Sequence, residues 1–402
     1  MGRKTFECEV LIVGAGIIGL TISRELLKKG ISKIIVIEKE DSIGRHASGR
    51  NSGVLHAGIY YSQGTKKARY CVEGNKLLKE YCYEKGLTIK ETGKIIVAKN
   101  ESELERIYVL KKRADLAGAV SYVVDSDDAK ELEPYAYTFE KALYSPNTAL
   151  IDPAEILLTL QQELESCGKV EIMFATEFKN IISNTCALTN RGEIKFQWFV
   201  NAAGSFTDKI ASKFNLAEEY RTIPFKGIYK KIRDEKSFYV KSNIYPVPKL
   251  EYPFLGVHLT RSVKNDVYAG PTAMPILGRE NYSLLKGITT EAIEIMARTG
   301  LMFILNKEFR SLAIEELKKY SKLKFFEEVN KLLPALKYED LYNSSKVGIR
   351  PQLIHWPTKS LVTDFLVLKD NNSIHILNSI SPAFTSSMAF SKYCVDYLFD
   401  DY

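Results

Sequence analysis

The chain has few of the residues that build metal centres and disulfide frameworks. Its 402 residues include six cysteines, with no CxxC pair, and five scattered histidines, so zinc and iron–sulfur spacings are absent. The cysteines are predicted to be buried thiols in a reducing compartment. The sequence therefore predicts no bound metal and no disulfide.

Long apolar runs and clustered basic residues are also missing. No segment approaches the ~20 apolar residues that cross a bilayer, and no apolar segment precedes the first predicted strand. The net charge of +7 comes from dispersed lysines without an arginine-rich tract, so nucleic acid is not an expected partner. We expect a cytoplasmic protein with a small anionic substrate; peripheral contact with the inner membrane face is left open.

What the sequence does have, close to its start, is a glycine-rich turn between two apolar runs. Gly14, Gly16 and Gly19 separate these runs, which are predicted to be strands, and an amphipathic helix follows the turn. The first glycine permits the tight turn, the second lets the backbone approach a pyrophosphate, and the third lets the helix pack on the sheet. Glu38 ends the second run, where its carboxylate would accept hydrogen bonds from an adenosine ribose and repel a 2′-phosphate. FAD or NAD is predicted, and NADP is not.

A second glycine-rich block, residues 44–61, favours flavin over nicotinamide. The block is too polar to form part of a core. In nicotinamide-binding folds, the chain more often continues directly into the next strand–helix unit without such a block. A flavin needs close backbone contacts and small hydroxyl groups along its ribityl and pyrophosphate groups. The residues predicted to supply them are Ser48, Arg50, Asn51, Ser52 and Gly53.

The C-terminal part of the chain contains another predicted strand–helix unit. Residues 373–377 are predicted to form a strand that leads through Pro382 into a helix from about Thr385 to Phe399. Negative charge develops at N1 and C2=O of a reduced flavin, and the positive end of this helix would stabilise it. A simple helix cap at Pro382, Thr385 and Ser386 is the alternative.

The order of elements indicates two interleaved domains, since the length exceeds one ordinary domain and no linker or repeat is present. Asp152 followed by Pro153 predicts a helix over 153–167. Residues 222–275 have the pattern of antiparallel strands, and residues 281–340 are mostly helical. The predicted fold is α/β, with a Rossmann-like FAD-binding domain (1–80, 145–215 and 340–402) interleaved with a mixed antiparallel-sheet substrate domain (81–144 and 216–339).

Several motifs together carry a resemblance to a known family. They are Gly14–Gly19, Glu38, Ser48–Tyr61, Tyr245–Pro248, Leu255–Thr260, Val347–Arg350 and Ser381–Ser387. With them the chain resembles the FAD-dependent L-2-hydroxyglutarate oxidase/dehydrogenase family of the D-amino-acid-oxidase-like superfamily. The block around His56 is also similar to that of FAD-dependent glycerol-3-phosphate oxidases. The chain departs from the first family at Lys226, where an arginine is expected, and at Pro351, where an alanine is expected.

The resemblance implies oxidation of an L-2-hydroxy acid to the 2-oxo acid by hydride transfer to flavin N5, with L-2-hydroxyglutarate as the leading substrate. Electrons would then pass to oxygen, a quinone or another acceptor. The alternatives are glycerol-3-phosphate oxidation and a flavin-binding module without turnover, which would need neither His56 nor Arg350. The motifs and the resemblance predict cofactor contacts at Gly14, Gly16, Ile17, Gly19, Glu38, Lys39, Ser48, Arg50, Asn51, Ser52, Gly53, Gly204, Pro382, Ala383, Thr385 and Ser386.

The chemistry requires a base for the hydroxyl proton and a cation for the carboxylate. His56, in a glycine-flanked loop, is the first candidate for the base, and a flavin-positioning hydrogen bond is its alternative role. His258 is the rival base or a packed histidine of the second domain. Arg350 is predicted to bind the carboxylate beside the carbinol, with a surface salt bridge as the alternative. The remaining predicted substrate contacts are Ser52, Tyr60 and Lys226.

Overall fold

The structure is a computed structural model that describes residues 4–249, 255–283, 287 and 289–400. Its contacts divide the chain into two interleaved units. Unit 1 contains the described residues of Met1–Arg50, Pro153–Thr222 and Pro351–Tyr402, and unit 2 contains those of Asn51–Asp152 and Ile223–Arg350.

The strands are β1 (Thr5–Glu7), β2 (Val10–Val13), β3 (Ile34–Ile37), β4 (Val54–Leu55), β5 (Ile89–Lys90), β6 (Lys94–Val97), β7 (Tyr122–Asp125), β8 (Lys141–Ser145), β9 (Ala149–Ile151), β10 (Val170–Met173), β11 (Phe178–Ser183), β12 (Cys186–Thr189), β13 (Gly192–Lys195), β14 (Trp198–Asn201), β15 (Tyr220–Ile232), β16 (Asn243–Pro246), β17 (His258–Arg261), β18 (Val267–Gly270), β19 (Met274–Pro275), β20 (Leu341–His355), β21 (Ser360–Leu361), β22 (Leu366–Asp370) and β23 (Ser373–Asn378). The α-helices are α1 (Ile17–Lys28), α2 (Lys66–Glu84), α3 (Leu104–Ala117), α4 (Ser126–Leu132), α5 (Pro153–Ser166), α6 (Thr207–Ser212), α7 (Ala292–Leu305), α8 (Lys307–Lys318), α9 (Lys322–Asn330) and α10 (Ala383–Phe399).

Unit 1 is built on a six-stranded sheet of order β10-β3-β2-β14-β23-β22. Its first five strands are parallel, and only β22 pairs antiparallel. Every residue of β2 and β3 is buried, as expected for parallel strands, and α1 packs against α5 and α10. The parallel strands all place their carboxyl ends at one edge of the sheet, where cofactors bind in open α/β sheets. The predicted α/β fold is confirmed.

Unit 2 contains most of a large sheet in which β15, β18, β17, β16, β6, β8 and β7 are successive neighbours, with β20 beside β15. From β15 to β7, the pairs are antiparallel except for β16 with β6. On one face, Ile95 and Leu259 pack with Phe325 of α9. On the other face, Ile96 and Tyr245 belong to a core that includes residues of α3. Strand alternation therefore divides this sheet between two cores.

The boundaries of the two units differ from the predicted domain boundaries. Residues 51–80 and 145–152, predicted for the FAD-binding domain, lie in unit 2, because β4 and β5 both pair with β9. Residues 340–350 also lie in unit 2, since the division falls within the continuous strand β20. Three- and two-residue strands leave no periodicity in a sequence, which is why the pairing was not predicted. Which unit binds which ligand stays a prediction.

Two predicted stretches are described only in part. Residues 250–254 of the predicted strand region, and 284–286 and 288 of the predicted helical region, lie outside the described residues. The described remainder of 281–340 is mostly helical, as α7, α8 and α9. Within the part of the chain that the structure describes, no helix has both the length and the apolar character needed to cross a bilayer.

Candidate active site

The glycine turn of unit 1 follows β2 and allows no side chain at two positions. Gly14 has φ +108°, and a Cβ there would lie 2.6 Å from the carbonyl oxygen of Ala202. A Cβ on Gly19 would lie 1.9 Å from the carbonyl oxygen of Gly14, so the first turn of α1 packs directly on the loop. Helix α1 begins after Gly16, and Ser48 Oγ accepts a hydrogen bond from the Ile17 N–H at 3.0 Å. The turn is therefore shaped for close approach of a ligand to backbone.

The Glu38 carboxylate lies against this turn. Its Oε2 accepts a hydrogen bond from the Ala15 N–H at 3.0 Å, and its Oε1 accepts one from the Glu40 N–H at 3.0 Å. Each carboxylate oxygen has a second lone pair for a ribose hydroxyl. Lys39 instead contacts Glu40, with its Nζ 2.5 Å from the carboxylate, and lies 5.3 Å from the centroid of the Phe206 ring.

The polar block after Glu38 is fixed by local hydrogen bonds. Arg50 Nε donates to the carbonyl oxygen of Arg45 at 2.6 Å. In unit 2, the Asn51 side chain accepts from the Gly53 N–H at 2.9 Å, and Ser52 Oγ accepts from the Val54 N–H at 3.4 Å. Each of these contacts joins residues that are no more than five positions apart in the chain.

The start of α10 is a further polar feature of unit 1. The helix begins at Ala383, after Pro382, and Thr385, Ser386 and Ser387 are all buried. The hydroxyl groups of Ser386 and Ser387 have no hydrogen-bond partner among the described residues. Gly204, with φ +56°, begins a 3₁₀ helix after β14 at the same edge of the sheet. Buried hydroxyls without partners and a glycine turn fit a dinucleotide cofactor at this edge.

Unit 2 brings together the two predicted base candidates. His258 stacks on the Tyr245 ring, with ring centroids 3.8 Å apart, and its Nδ1 lies 2.8 Å from the carbonyl oxygen of Gly256. Nδ1 therefore carries the proton, and Nε2 is the accepting nitrogen. Burial lowers the pKa of His258 to about 3, so the ring is uncharged at neutral pH.

His56 follows β4 and is anchored through its backbone. Its carbonyl oxygen accepts hydrogen bonds from Asn75 Nδ2 at 3.0 Å and from Cys71 Sγ at 3.5 Å, both from α2. Burial, followed by the charges of Lys94, His258 and Arg350, lowers the pKa of His56 well below its usual value. The imidazole is half-buried and uncharged at neutral pH, which is the form that accepts a proton.

Arg350, near the middle of β20, completes this cluster. Burial lowers its pKa, while Tyr229, Tyr61 and Glu316 act in the opposite direction. Burial also raises the pKa of Tyr229 to about 12, so this neighbour is an uncharged phenol. An arginine remains a cation in this setting and would pair with a carboxylate through its planar fork.

The other predicted substrate contacts have different surroundings. Lys226 donates from Nζ to the carbonyl oxygen of Ser283 at 3.0 Å, and burial lowers its pKa. Tyr60 is buried, and its ring faces the Nζ of Lys94 at 4.5 Å. Lys94 was not predicted from the sequence. In the sequence, Lys94 is recognisable only as a lysine that precedes an apolar run.

The parallel sheet, the glycine turn and the carboxylate beside it define a dinucleotide-binding α/β protein. Residues 9–397 match the family described as DAO, FAD dependent oxidoreductase. The chain belongs to this family. It is therefore an FAD-dependent oxidoreductase, and the predicted cofactor and enzyme class are confirmed.

Relatives and solved structures agree with this assignment. The chain is 32% identical to an L-2-hydroxyglutarate dehydrogenase of Indibacter alkaliphilus, over 95% of this chain and 96% of that protein. It is also 32% identical to the human mitochondrial L-2-hydroxyglutarate dehydrogenase, over 98% and 89% of the two chains. Its fold is similar to L-α-glycerophosphate oxidase of Mycoplasma pneumoniae with FAD bound, with a TM-score of 0.77, 23% identity, and coverage of 98% and 94%. The resemblance to the L-2-hydroxyglutarate family, stated from the motifs, is thus confirmed.

Proposed function

We propose that this FAD-dependent oxidoreductase oxidises L-2-hydroxyglutarate to 2-oxoglutarate. The observation that supports it is the cluster in unit 2, where burial, and after it nearby charges that include Arg350, lower the pKa values of His56 and His258. Oxidation of a 2-hydroxy acid needs these two functions, a cation for the carboxylate and an acceptor for the hydroxyl proton. The full-length similarity to L-2-hydroxyglutarate dehydrogenases supports the choice of substrate.

In this proposal, Arg350 binds the carboxylate next to the carbinol, and His56 Nδ1 or Nε2 accepts the hydroxyl proton. His258 is the alternative acceptor, because its Nε2 is unprotonated while Nδ1 donates to Gly256. Ser52, Tyr60 and Lys226 are the remaining proposed substrate contacts. Bound FAD would supply the acceptor for the hydride of the carbinol carbon.

We assign most of the proposed FAD contacts to unit 1. Gly14, Gly16, Ile17 and Gly19 would line the pyrophosphate, and Glu38 would accept from the adenosine ribose. The start of α10 would direct its N–H groups toward the flavin, where they favour negative charge. The other cofactor contacts proposed in unit 1 are Lys39, Ser48, Arg50, Gly204, Pro382, Ala383, Thr385 and Ser386. The proposal also keeps Asn51, Ser52 and Gly53, which lie in unit 2, as cofactor contacts.

The test is anaerobic bleaching of the yellow holoenzyme by a panel of L- and D-2-hydroxyglutarate, L-lactate, glycine and glycerol 3-phosphate. We expect rapid bleaching by L-2-hydroxyglutarate and at least a hundredfold slower bleaching by its enantiomer and by L-lactate. If glycerol 3-phosphate bleached the flavin faster than L-2-hydroxyglutarate did, glycerol 3-phosphate would be the better substrate and the proposed substrate would be wrong. A flavin that no member of the panel bleaches would contradict the proposal.

We also propose that the electron acceptor is a quinone and that α7 and α8 lie on the membrane that contains it. Exposed apolar side chains cluster there, and Ile293, Ile304 and Leu317 are 71%, 68% and 56% exposed. The exposed lysines Lys307 and Lys318 border the apolar residues, together with the exposed carboxylates of Glu294 and Glu308. Exposed apolar side chains with charged residues around them suit the surface of a bilayer.

This part is tested by flotation with phosphatidylcholine vesicles that contain phosphatidylglycerol. The holoenzyme should float with these vesicles, and the double variant Ile293→Ser, Ile304→Ser should remain in the dense fraction. Leu158→Ser is the matched control, because Leu158 is 51% exposed on α5 of unit 1. Equal flotation of the parent, the double variant and the control would refute the assignment of α7 and α8 as the membrane-binding surface. If the enzyme reduced oxygen to hydrogen peroxide as fast as it reduced a quinone, the proposal that a quinone is the electron acceptor would be refuted.

A further inference from the structure

Lys94 is buried in a way that lysines rarely are. It is the first residue of β6 and is 0% exposed, and its Nζ has no hydrogen-bond partner among the described residues. The Nζ lies between two ring faces, 4.5 Å from the centroid of Tyr60 and 4.9 Å from that of Tyr245. Burying an amino group without a hydrogen bond destabilises a fold, and cation–π contacts offset only part of that loss. A buried lysine of this kind therefore indicates a functional role.

The sheet places Lys94 next to the base candidates. Strand β6 pairs with β16, where Tyr245 is opposite Ile96, and β16 pairs with β17. Because side chains alternate along strands, Lys94, Tyr245 and His258 face the same side of three adjacent strands. Tyr245 has Lys94 at one side of its ring and is stacked on His258, with ring centroids 3.8 Å apart. The amino group is thus linked to the imidazole through a single aromatic ring.

Charge gives a second link between Lys94 and the histidines. After burial, the positive charge of Lys94 is the largest effect that lowers the pKa of His56, ahead of His258 and Arg350. For His258, the Lys94 charge lowers the pKa more than Arg350 does, although a hydrogen bond to Gly256 acts in the opposite direction. The groups that face Lys94 are otherwise uncharged, namely the phenols of Tyr60 and Tyr245 and the thiol of Cys71, whose pKa values burial raises.

We propose that Lys94 is a positioning residue of this site: its amino group fixes the Tyr245–His258 stack and, when protonated, opposes protonation of His56 and His258. The inference rests on the proposed function, in which one of these imidazoles accepts the hydroxyl proton. Burial lowers the pKa of Lys94 to about 7, still above that of His258. As the pH falls below 7, the first proton therefore goes to Lys94 and the imidazoles remain available.

The test uses Lys94→Met and Lys94→Gln holoenzymes, which keep the length of the side chain and lose the charge. Removing a nearby cation raises the pKa of an imidazole, so the acid limb of the pH profile for flavin reduction should move up by about one pH unit. At a pH on that limb, the rate constant should fall about tenfold. Lys130→Met is the matched control, since Lys130 is exposed on α4, and should leave the profile unchanged.

A second readout does not depend on turnover. In ¹³C-labelled histidine NMR titrations of the holoenzyme, the His56 and His258 resonances should titrate at higher pH in both neutral variants than in the parent. The melting temperature of Lys94→Met should be at least that of the parent, because an apolar isostere replaces an unpartnered amine. A purely structural lysine would give a lower melting temperature and unmoved titrations.

Unmoved histidine titrations in both Lys94 variants would overturn the inference, whatever their activity. A parent holoenzyme that no 2-hydroxy acid reduces would instead overturn the proposed function. In that case the histidine titrations still decide whether the Lys94 charge acts on the two imidazoles.

Discussion

Replacing His56 by alanine tests the proposed proton acceptor directly. General-base catalysis contributes typically 10² to 10⁴-fold, so His56→Ala should slow flavin reduction by about that factor. Since each tenfold is about 1.36 kcal/mol, the lost transition-state stabilisation is about 2.7–5.4 kcal/mol. The fold should survive the change, because α2 holds residue 56 through its backbone carbonyl, which alanine retains.

The assay is anaerobic stopped-flow reduction of the holoenzyme by L-2-hydroxyglutarate, with FAD content read from the absorption spectrum. His355→Ala is the matched control, since His355 is a histidine of unit 1 whose Nδ1 is 2.7 Å from Thr358 Oγ1, and it should reduce at the parent rate. The pKa of His56 is lowered by burial and by neighbouring cations. The acid limb of the parent should therefore lie below the usual histidine pKa of about 6.5.

The competing assignment predicts a different pair of rates. A near-parent rate for His56→Ala, with a loss of more than a hundredfold for His258→Ala, would transfer the base to His258. Loss of FAD from His56→Ala would show that His56 positions the flavin, and would refute its role as the base. Comparable losses in both variants without loss of FAD would mean that the two imidazoles act as one unit.

Four further outcomes follow from the structure. Arg350→Lys keeps the charge but loses the planar fork, so the KM for L-2-hydroxyglutarate should rise at least tenfold in steady-state assays. Lys226→Ala should weaken binding of L-2-hydroxyglutarate more than that of L-lactate, and equal effects would remove Lys226 from the site. Gly14→Ala introduces a Cβ 2.6 Å from the Ala202 oxygen at φ +108°, so thermal unfolding should occur at lower temperature with weaker FAD binding. Treatment with a chelator should leave flavin reduction unchanged, because the cysteine and histidine spacings predict no metal.

The elements that could be predicted from the sequence are those specified by neighbouring residues. The predicted helix 153–167 is observed as α5, Pro153–Ser166, because an N-cap residue and an N1 proline act within one turn. The predicted strand 373–377 is observed as β23, Ser373–Asn378, and the helix after it begins at Ala383, two residues before the predicted start. The glycine turn and Glu38 lie in contact because a strand, a turn and a helix in succession fix their positions.

What the sequence does not show depends on pairing between distant segments. The short strand β4 is joined to β9 almost a hundred residues later, and this pairing moves residues 51–80 into unit 2. The surroundings of Lys94 could not be predicted for the same reason. Its neighbours Tyr60 and Tyr245 come from a loop and from a strand that lie far apart in the chain. A lysine before an apolar run predicts a strand end and gives no indication of a buried amine between two rings.

The charges of unit 2 fit a reaction in which the substrate itself adjusts the base. Burial, followed by the charges of Lys94, His258 and Arg350, lowers the pKa of His56, so its imidazole is uncharged but also a weak base before substrate binds. A bound carboxylate on Arg350 would offset that cation and raise the pKa of the imidazole toward its usual value. The base would then gain strength only when the hydroxyl group is in place beside it. In this proposal, Lys94 and Arg350 add to burial in keeping the histidine unprotonated before the anionic substrate binds, and a neutral alcohol without a carboxylate would leave the base weak.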